Sequence, residues 1–335
     1  MVVCGQLRTW DSFHGGDQTL SRLPLDILQT RIFTLLDGPT LASTSCVATD
    51  LRALSADETL WRNICRSIWP SVNDLRVSGV VSTFAAGHRT LFSDSYPLLH
   101  HKRNSNLNDQ MITTTRLISA VDIYYQNVPI FSKVVETETV TDWFFCSPFG
   151  IGLLEPREYE QRRERHEVGV KWLKQLEENM RLSWKMIDPE LRRAVNVSSD
   201  RPVSVKKHWL TGEVEVKFAT VVDGIGGPVK WEVVLTCGGK EGGETEMTEL
   251  SMGVEDMEGK RLNGRDSLVI LQSAMERGER RRARFGVERQ RYEEFVEKRR
   301  VWREEKQRRE SAADMLFVVV WVTLFISFLR FVMFR

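Results

Sequence analysis

From Met315 to Phe334 the chain runs for twenty residues with a single charge, Arg330. At about 1.5 Å per residue a helix of that length is roughly 30 Å long, the thickness of a bilayer's hydrocarbon core. Arg330 lies near the distal end, where a long side chain can snorkel to the headgroups. The preceding residues 276–310 hold fourteen Lys/Arg and nine Asp/Glu, a local excess of five positive charges. Basic residues beside a span mark its cytosolic side. The reading is a single-pass membrane protein with a tail over 311–335 and a span from Met315 through Trp321 to Phe334. Its N-terminal bulk faces the cytosol, in the tail-anchored arrangement. The competing reading is an apolar helix covered by protein.

The N-terminus agrees with that topology. Residues 1–22 include Asp11, Asp17 and the pair Gly15-Gly16 and no apolar stretch, so they read as a flexible leader rather than a signal peptide. The net charge of +1 excludes binding of polyanions by bulk electrostatics. Five scattered cysteines, Cys4, Cys46, Cys65, Cys146 and Cys237, form no CxxC pair. That argues against a disulfide framework and against zinc, and for free thiols in a reducing compartment. No metal and no cofactor is expected.

Residues 23–70 read as a compact helical block. Leu23, Ile27, Leu28, Ile32, Leu35 and Leu36 recur at helical spacing, with Pro24 where a first-turn proline is tolerated. Asp37-Gly38-Pro39 ends this helix and starts another over Leu41 to Val47. A third runs from Ser55 to Trp69, with Ser55 and Glu58 at capping-box spacing, and Pro70 stops it. Three such helices have more apolar positions than they can hide among themselves, and a unit this small gains stability from a partner.

The run Leu23-Pro24-Leu25-Asp26-Ile27-Leu28, then Ile32, Leu35-Leu36-Asp37, Leu41, Ser45-Cys46-Val47 and Asp57-Glu58-Thr59-Leu60-Trp61 resembles an F-box. Leu51 stands where many F-boxes place a tryptophan. The resemblance implies binding to a Skp-type adaptor and, through it, to cullin and RING subunits. It further implies that Leu23, Pro24, Ile27, Ile32, Leu35, Leu36, Leu41, Cys46 and Val47 line or support the adaptor interface. Trp69-Pro70-Ser71, Gly87-His88-Arg89, Ser119 to Tyr125, Phe131 to Thr139 and Asn263 to Leu268 are similar to a plant F-box family with an uncharacterised C-terminal domain.

After a connector over 71–112, residues 113–275 are strand-rich. Val214, Val216, Phe218 and Val222 alternate with Glu213, Glu215 and Lys217, a glycine-rich break follows at 224–227, and Trp231, Val233 and Leu235 resume the alternation. Two alternating runs about such a break read as a hairpin. Further strands are expected at 118–125, 129–136, 182–187 and 194–198, with a surface helix carrying Val170, Leu173 and Leu176 and another helix over 267–277. The fold class is therefore α+β: a small three-helix F-box, an antiparallel β-sandwich-like domain, a charged stem helix over 276–310 and one C-terminal transmembrane helix. Leu182-Ser183-Trp184 to Asp188-Pro189 with Arg193 to Asn196 resembles the phloem-lectin sandwich, which would imply glycan binding. Trp209 and Trp231 read as core rather than as sugar platforms.

Enzymatic signatures are missing from the sequence. Gly224 to Gly227 lies inside a hairpin and lacks dinucleotide-motif spacing, and there is no P-loop or nucleophile elbow. The histidines are dispersed, and His100-His101 is followed by Lys102-Arg103, which repels a cation. Acids interleave the basic stem, so nucleic acid is not an expected partner. Phe285, Tyr292, Phe295 and Trp302 have heptad-like spacing, which leaves a homodimer through the stem open. The sequence thus points to a non-catalytic substrate receptor of a ubiquitin ligase, acting on an unknown protein at a membrane. The alternative is a membrane-anchored, lectin-like binding protein without a ligase role.

Overall fold

The computed structural model describes residues 24–96, 98–100, 113–146, 149, 152–153, 170–224, 226–238, 246–281 and 286–334. The chain divides into two compact units at Ser67/Ile68.

The first unit is helical. Helix α1 (Leu25–Ile27) passes into one π-helical turn, Leu28–Ile32, and a 3-10 turn, Phe33–Leu35. The wide turn bonds Phe33 N–H to the Leu28 carbonyl. Its five-residue step keeps both Leu28 and Phe33 buried, which an α-helical step would not do. Helix α2 (Gly38–Thr44) is capped by Asp37, which accepts from Thr40 N at 2.9 Å. Helix α3 (Thr49–Ser55) is a short element that the sequence pattern does not single out. Ser55 ends α3 instead of capping the next helix; Asp57 takes that place, accepting from Thr59 N at 2.6 Å before α4 (Glu58–Ile68). Asp57 also accepts from Gln29, which ties the π-helical turn to the start of α4. Leu41, Leu60, Trp61 and Cys65 complete the buried set, and the Trp61 indole donates to the Ser55 carbonyl at 2.7 Å.

The second unit begins with a 3-10 turn (Pro70–Asn73) and helices α5 (Leu75–Val81) and α6 (Gly87–Ser95). The expected connector is thus helical over its first half, and its residues Val77, Val81, Leu91 and Phe92 are buried. Its remainder, 101–112, lies outside the described residues. The strands and helices that follow are β1 (Leu98–His100), β2 (Arg116–Tyr125), β3 (Val128–Glu138), α7 (Asp142–Cys146), β4 (Gly152–Leu153), α8 (Val170–Asn179), β5 (Met180–Asp188), β6 (Arg193–Asn196) and β7 (Ser204–Lys207). Then come β8 (Val214–Gly224), β9 (Gly227–Gly238), β10 (Glu246–Glu255), α9 (Gly264–Arg277), β11 (Glu279–Arg281) and α10 (Val287–Met333).

Among the described residues the strand pairings are antiparallel, in a four-stranded sheet β3-β2-β5-β6, a five-stranded sheet β4-β10-β9-β8-β7 and a two-stranded pair β1-β11. The expected hairpin is β8–β9, with Gly224 opposite Gly227. One core joins the two larger sheets: Val121, Leu182 and Trp184 from the first, Val216, Phe218, Trp231 and Leu250 from the second, closed by Leu268 and Leu271 of α9. Asn263 caps α9, and Gly264 packs so closely that a Cβ would lie 2.3 Å from the Phe144 carbonyl oxygen. Helix α8 is more than a surface helix, because Trp172 and Leu176 are in this core. Trp231 is core as expected, but Trp209 is 87% exposed in the turn between β7 and β8. That turn leaves its side chain no sheet face to enter.

Candidate protein-interaction surfaces

Three places could carry function: the helical unit's apolar side chains, the polar groups inside the sandwich, and helix α10.

In the helical unit the predicted interface residues fall into three groups. Leu41 is fully buried and supports the unit from within. Ile32 and Leu36 are half-buried. Pro24, Ile27, Cys46 and Val47 are exposed, and Leu35 is 84% exposed. Leu23 lies outside the described residues. Leu25 joins the exposed set, flanking Pro24. The short helices cannot bury both sides of their apolar pattern: Leu28, Phe33 and Leu41 consume the interior, and Leu25, Ile27, Leu35 and Val47 are left in water. Covering each of these would contribute about 1.5–3 kcal/mol. These exposed aliphatic side chains in a short stretch are a candidate contact surface.

The sandwich holds polar groups that sequence reasoning missed. Asp122 and Lys185 face each other across β2 and β5, Nζ to Oδ2 at 2.9 Å, with both side chains fully buried. Asp122 also accepts from the Ser71 N–H and hydroxyl, at 2.8 and 2.6 Å, and from Ser132 at 2.9 Å. Lys185 reaches Ser183 at 2.9 Å and sits 4.8 Å from the centre of the Trp69 ring. A second knot joins Asp94 of α6 to Arg193 at 2.8 and 2.9 Å, to the Ala194 N–H at 3.1 Å and to Arg280. A buried charge pair is tolerable only when its remaining hydrogen-bond capacity is used. Both knots meet that condition, and neither is open to solvent at its carboxylate, so they hold the 3-10 turn and α6 on the four-stranded sheet rather than doing chemistry. Burial pushes the Cys237 thiol up to about 12, which leaves it unreactive. Among the described residues no group of His, Cys, Asp and Glu is placed to hold a metal ion.

Helix α10 is continuous from the charged stem through the apolar run. Its apolar part, from Met315 past Trp321 to Phe334, is exposed on all sides. Among the described residues nothing of the chain covers it. The hydroxyls inside the run bond to their own helix, Thr323 to the Val320 carbonyl and Ser327 to that of Thr323, both at 2.8 Å. The helix is therefore long and apolar enough to cross a membrane. The stem differs from the solvated helix expected. Phe295 is buried, and α10 lies on β8 and β9. Of the heptad-like stripe, Phe295 is thereby used within the chain, Tyr292 lies 5.8 Å from Lys230 of β9, and Phe285 is outside the described residues.

Comparison with known proteins settles the family. Residues 20–67 match the F-box-like family. F-box protein At2g27310 of Arabidopsis thaliana is 41% identical over 98% of this chain and the whole of its own length. F-box protein At3g44326 is 41% identical over 92% of this chain and 89% of its own, and the probable F-box protein At2g36090 is 42% identical over 92% of each, both also from Arabidopsis thaliana. The chain belongs to the F-box protein family. No solved structure matches it. The F-box lies in the helical unit, and an F-box implies binding of a Skp-type adaptor in SCF complexes. The similarity extends far beyond the F-box, over most of the sandwich unit as well.

Proposed function

We propose that this F-box protein is a substrate-receptor subunit of an SCF-type ubiquitin ligase, with no catalysis of its own, and that it presents substrates at a membrane surface. The observation that carries the receptor reading is the F-box-like match over a unit whose aliphatic side chains Leu25, Ile27, Leu35 and Val47 stand in water. In this reading Leu23, Pro24, Ile27, Leu35, Cys46 and Val47 meet the Skp-type adaptor, Ile32 and Leu36 fill in on contact, and Leu41 holds the unit's shape. Cullin and RING subunits follow through the adaptor and carry out transfer.

The membrane part is supported by the apolar surface of α10 and by the basic stem before it, which favours a cytosolic location for both units. Confinement to a surface raises the effective concentration of substrates there without any new contact. The test is co-purification of the Skp-type adaptor with the chain shortened to residue 310, beside a Pro24→Ala/Ile27→Ala double variant. Adaptor held by the parent and lost from the variant supports the receptor. Adaptor absent from both sinks it.

A further inference from the structure

The stem is fixed to the sandwich along several turns, and its contacts advance in order. Glu288, at its start, accepts from the Asp200 N–H at 3.2 Å. Arg289 pairs with Glu177 of α8. Tyr292 lies under Lys230, and one turn on Phe295 is buried. Alternation along β8 and β9 puts Phe218, Val229 and Trp231 in the core, so Ala219 and Lys230 face the other way, and α10 covers this outer face. Arg299 then meets Glu255 at the end of β10, at 3.1 Å, and Glu255 also accepts from Lys230 at 3.3 Å. Farther on, Arg303 reaches the Glu258 carbonyl at 3.4 Å and Lys306 the Glu258 carboxylate at 3.4 Å.

The turn after β10 is shaped to receive the helix. Gly259 has φ of +84°, and a Cβ there would lie 2.1 Å from the Arg299 guanidinium and 2.4 Å from that of Arg303. A side chain there would be strained by the backbone, and the guanidinium ends of Arg299 and Arg303 would have to shift to admit it. Past Lys306 the helix has neither glycine nor proline before Met333, the usual causes of a kink.

From Lys306 to Met315 the helix rises about 14 Å. Headgroups occupy roughly 5–8 Å on each side of the hydrocarbon core. The turn Asp256–Leu262 and the neighbouring β8–β9 tip, where Gly227 lies beside Met257, therefore come within a side chain's length of the headgroups when the apolar run is embedded. Glu255 at this end pairs with Arg299 and Lys230 and Glu258 with Lys306, Asp256 accepts from the Lys260 N–H at 2.9 Å, Asp223 stands at the β8–β9 tip, and Lys260 and Arg261 are exposed.

We propose that α10 is a strut rather than a tether, and that it holds the Asp256–Leu262 turn and the β8–β9 tip against the headgroup layer of the bilayer. The inference rests on the reading of Met315–Phe334 as a membrane span. The β7–β8 turn at Trp209 lies at the other end of β8, about 30 Å from the β8–β9 tip.

The test uses the full chain in vesicles containing anionic lipid and a headgroup-linked quencher, with Cys4, Cys46 and Cys146 replaced by serine. One dye is placed at Lys260→Cys and, in a separate sample, at Thr211→Cys. Quenching several-fold stronger at 260 than at 211 is expected, and a flexible glycine-serine insert of twenty residues after Ala312 should abolish the difference. Equal quenching at the two sites, or a difference that survives the insert, overturns the strut while resistance to carbonate extraction shows the span intact. Release of the parent by carbonate would overturn the span itself and the strut with it.

Discussion

Among the described residues, the F-box and the far part of α10 each leave several aliphatic side chains uncovered, and they are built in opposite ways. The F-box pairs a closed interior, Leu28, Phe33, Leu41 and Trp61, with exposed aliphatic side chains at Leu25, Ile27, Leu35 and Val47. The far part of α10 has no interior, because Met315 to Phe334 is apolar around the whole circumference. Exposed aliphatic side chains beside a packed core suit a protein partner of complementary shape, whereas an apolar girdle without a polar face suits a solvent that is itself apolar. Between them α10 has a docked half, where charges are spent on the chain's own sheet.

The largest effect that separates the two regions should come from charges at the centre of the girdle. Each arginine there costs about 3 kcal/mol of insertion. Val319→Arg/Leu324→Arg should move the protein from the membrane pellet to the supernatant in carbonate extraction and leave adaptor binding unchanged. Next, Phe295→Ala should weaken docking of the stem by about 3–5 kcal/mol, the usual cost of truncating a buried phenylalanine. Hydrogen exchange should rise over 288–306 while the apolar run stays protected in vesicles.

A pH dependence should act on the same docked half. Burial, with the neighbouring Asp200 charge, raises the Glu288 carboxyl to about 7, against the pull of the Asp200 and Arg201 N–H groups and of Arg291. A raised acid means that the docked state binds the proton more tightly, so docking is firmest below the ordinary value of 4.5 and weakens as pH climbs through about 7. The change amounts to at most about 3 kcal/mol. Glu288→Gln should flatten it, read as the pH profile of exchange at the start of α10.

The smallest effect on folding and the most selective one on binding is at the F-box. Leu35→Asp should leave the far-UV circular dichroism and melting temperature of the chain unchanged, because the side chain is already in water. It should lower adaptor affinity by about 2 kcal/mol, or roughly thirtyfold. Leu41→Ala is the contrast: it should lower adaptor binding by unfolding the unit, with lost helicity.

These regions differ also in how far the sequence revealed them. Local periodicity made the β8–β9 hairpin, α9 and the apolar run legible, since each is a pattern within a dozen or two residues. The docked stem was hidden, because one buried phenylalanine among more than twenty charges looks like a solvated helix until the outer face of the five-stranded sheet is in place. Likewise α5 and α6 sit in a stretch rich in serine and glycine, and what holds them there is distant in sequence: Arg76 of α5 donates to the Val134 carbonyl, and Asp94 of α6 is knotted to Arg193 and Arg280. The Asp122–Lys185 pair is a long-range product of strand register. Ser55 and Glu58 matched a capping box, yet a preceding helix claimed Ser55. At the F-box the motif pointed to the right segment, but only the structure separates Leu41, buried inside the unit, from Leu35, which stands in water.

The most direct test of two surfaces for two partners is co-flotation of purified Skp-type adaptor with vesicles carrying the chain. The adaptor should rise with the parent, stay at the bottom when the vesicles carry Leu35→Asp, and stay at the bottom, still bound to protein, with Val319→Arg/Leu324→Arg. Adaptor that fails to float with the parent, or that floats equally with Leu35→Asp, would contradict the assignment.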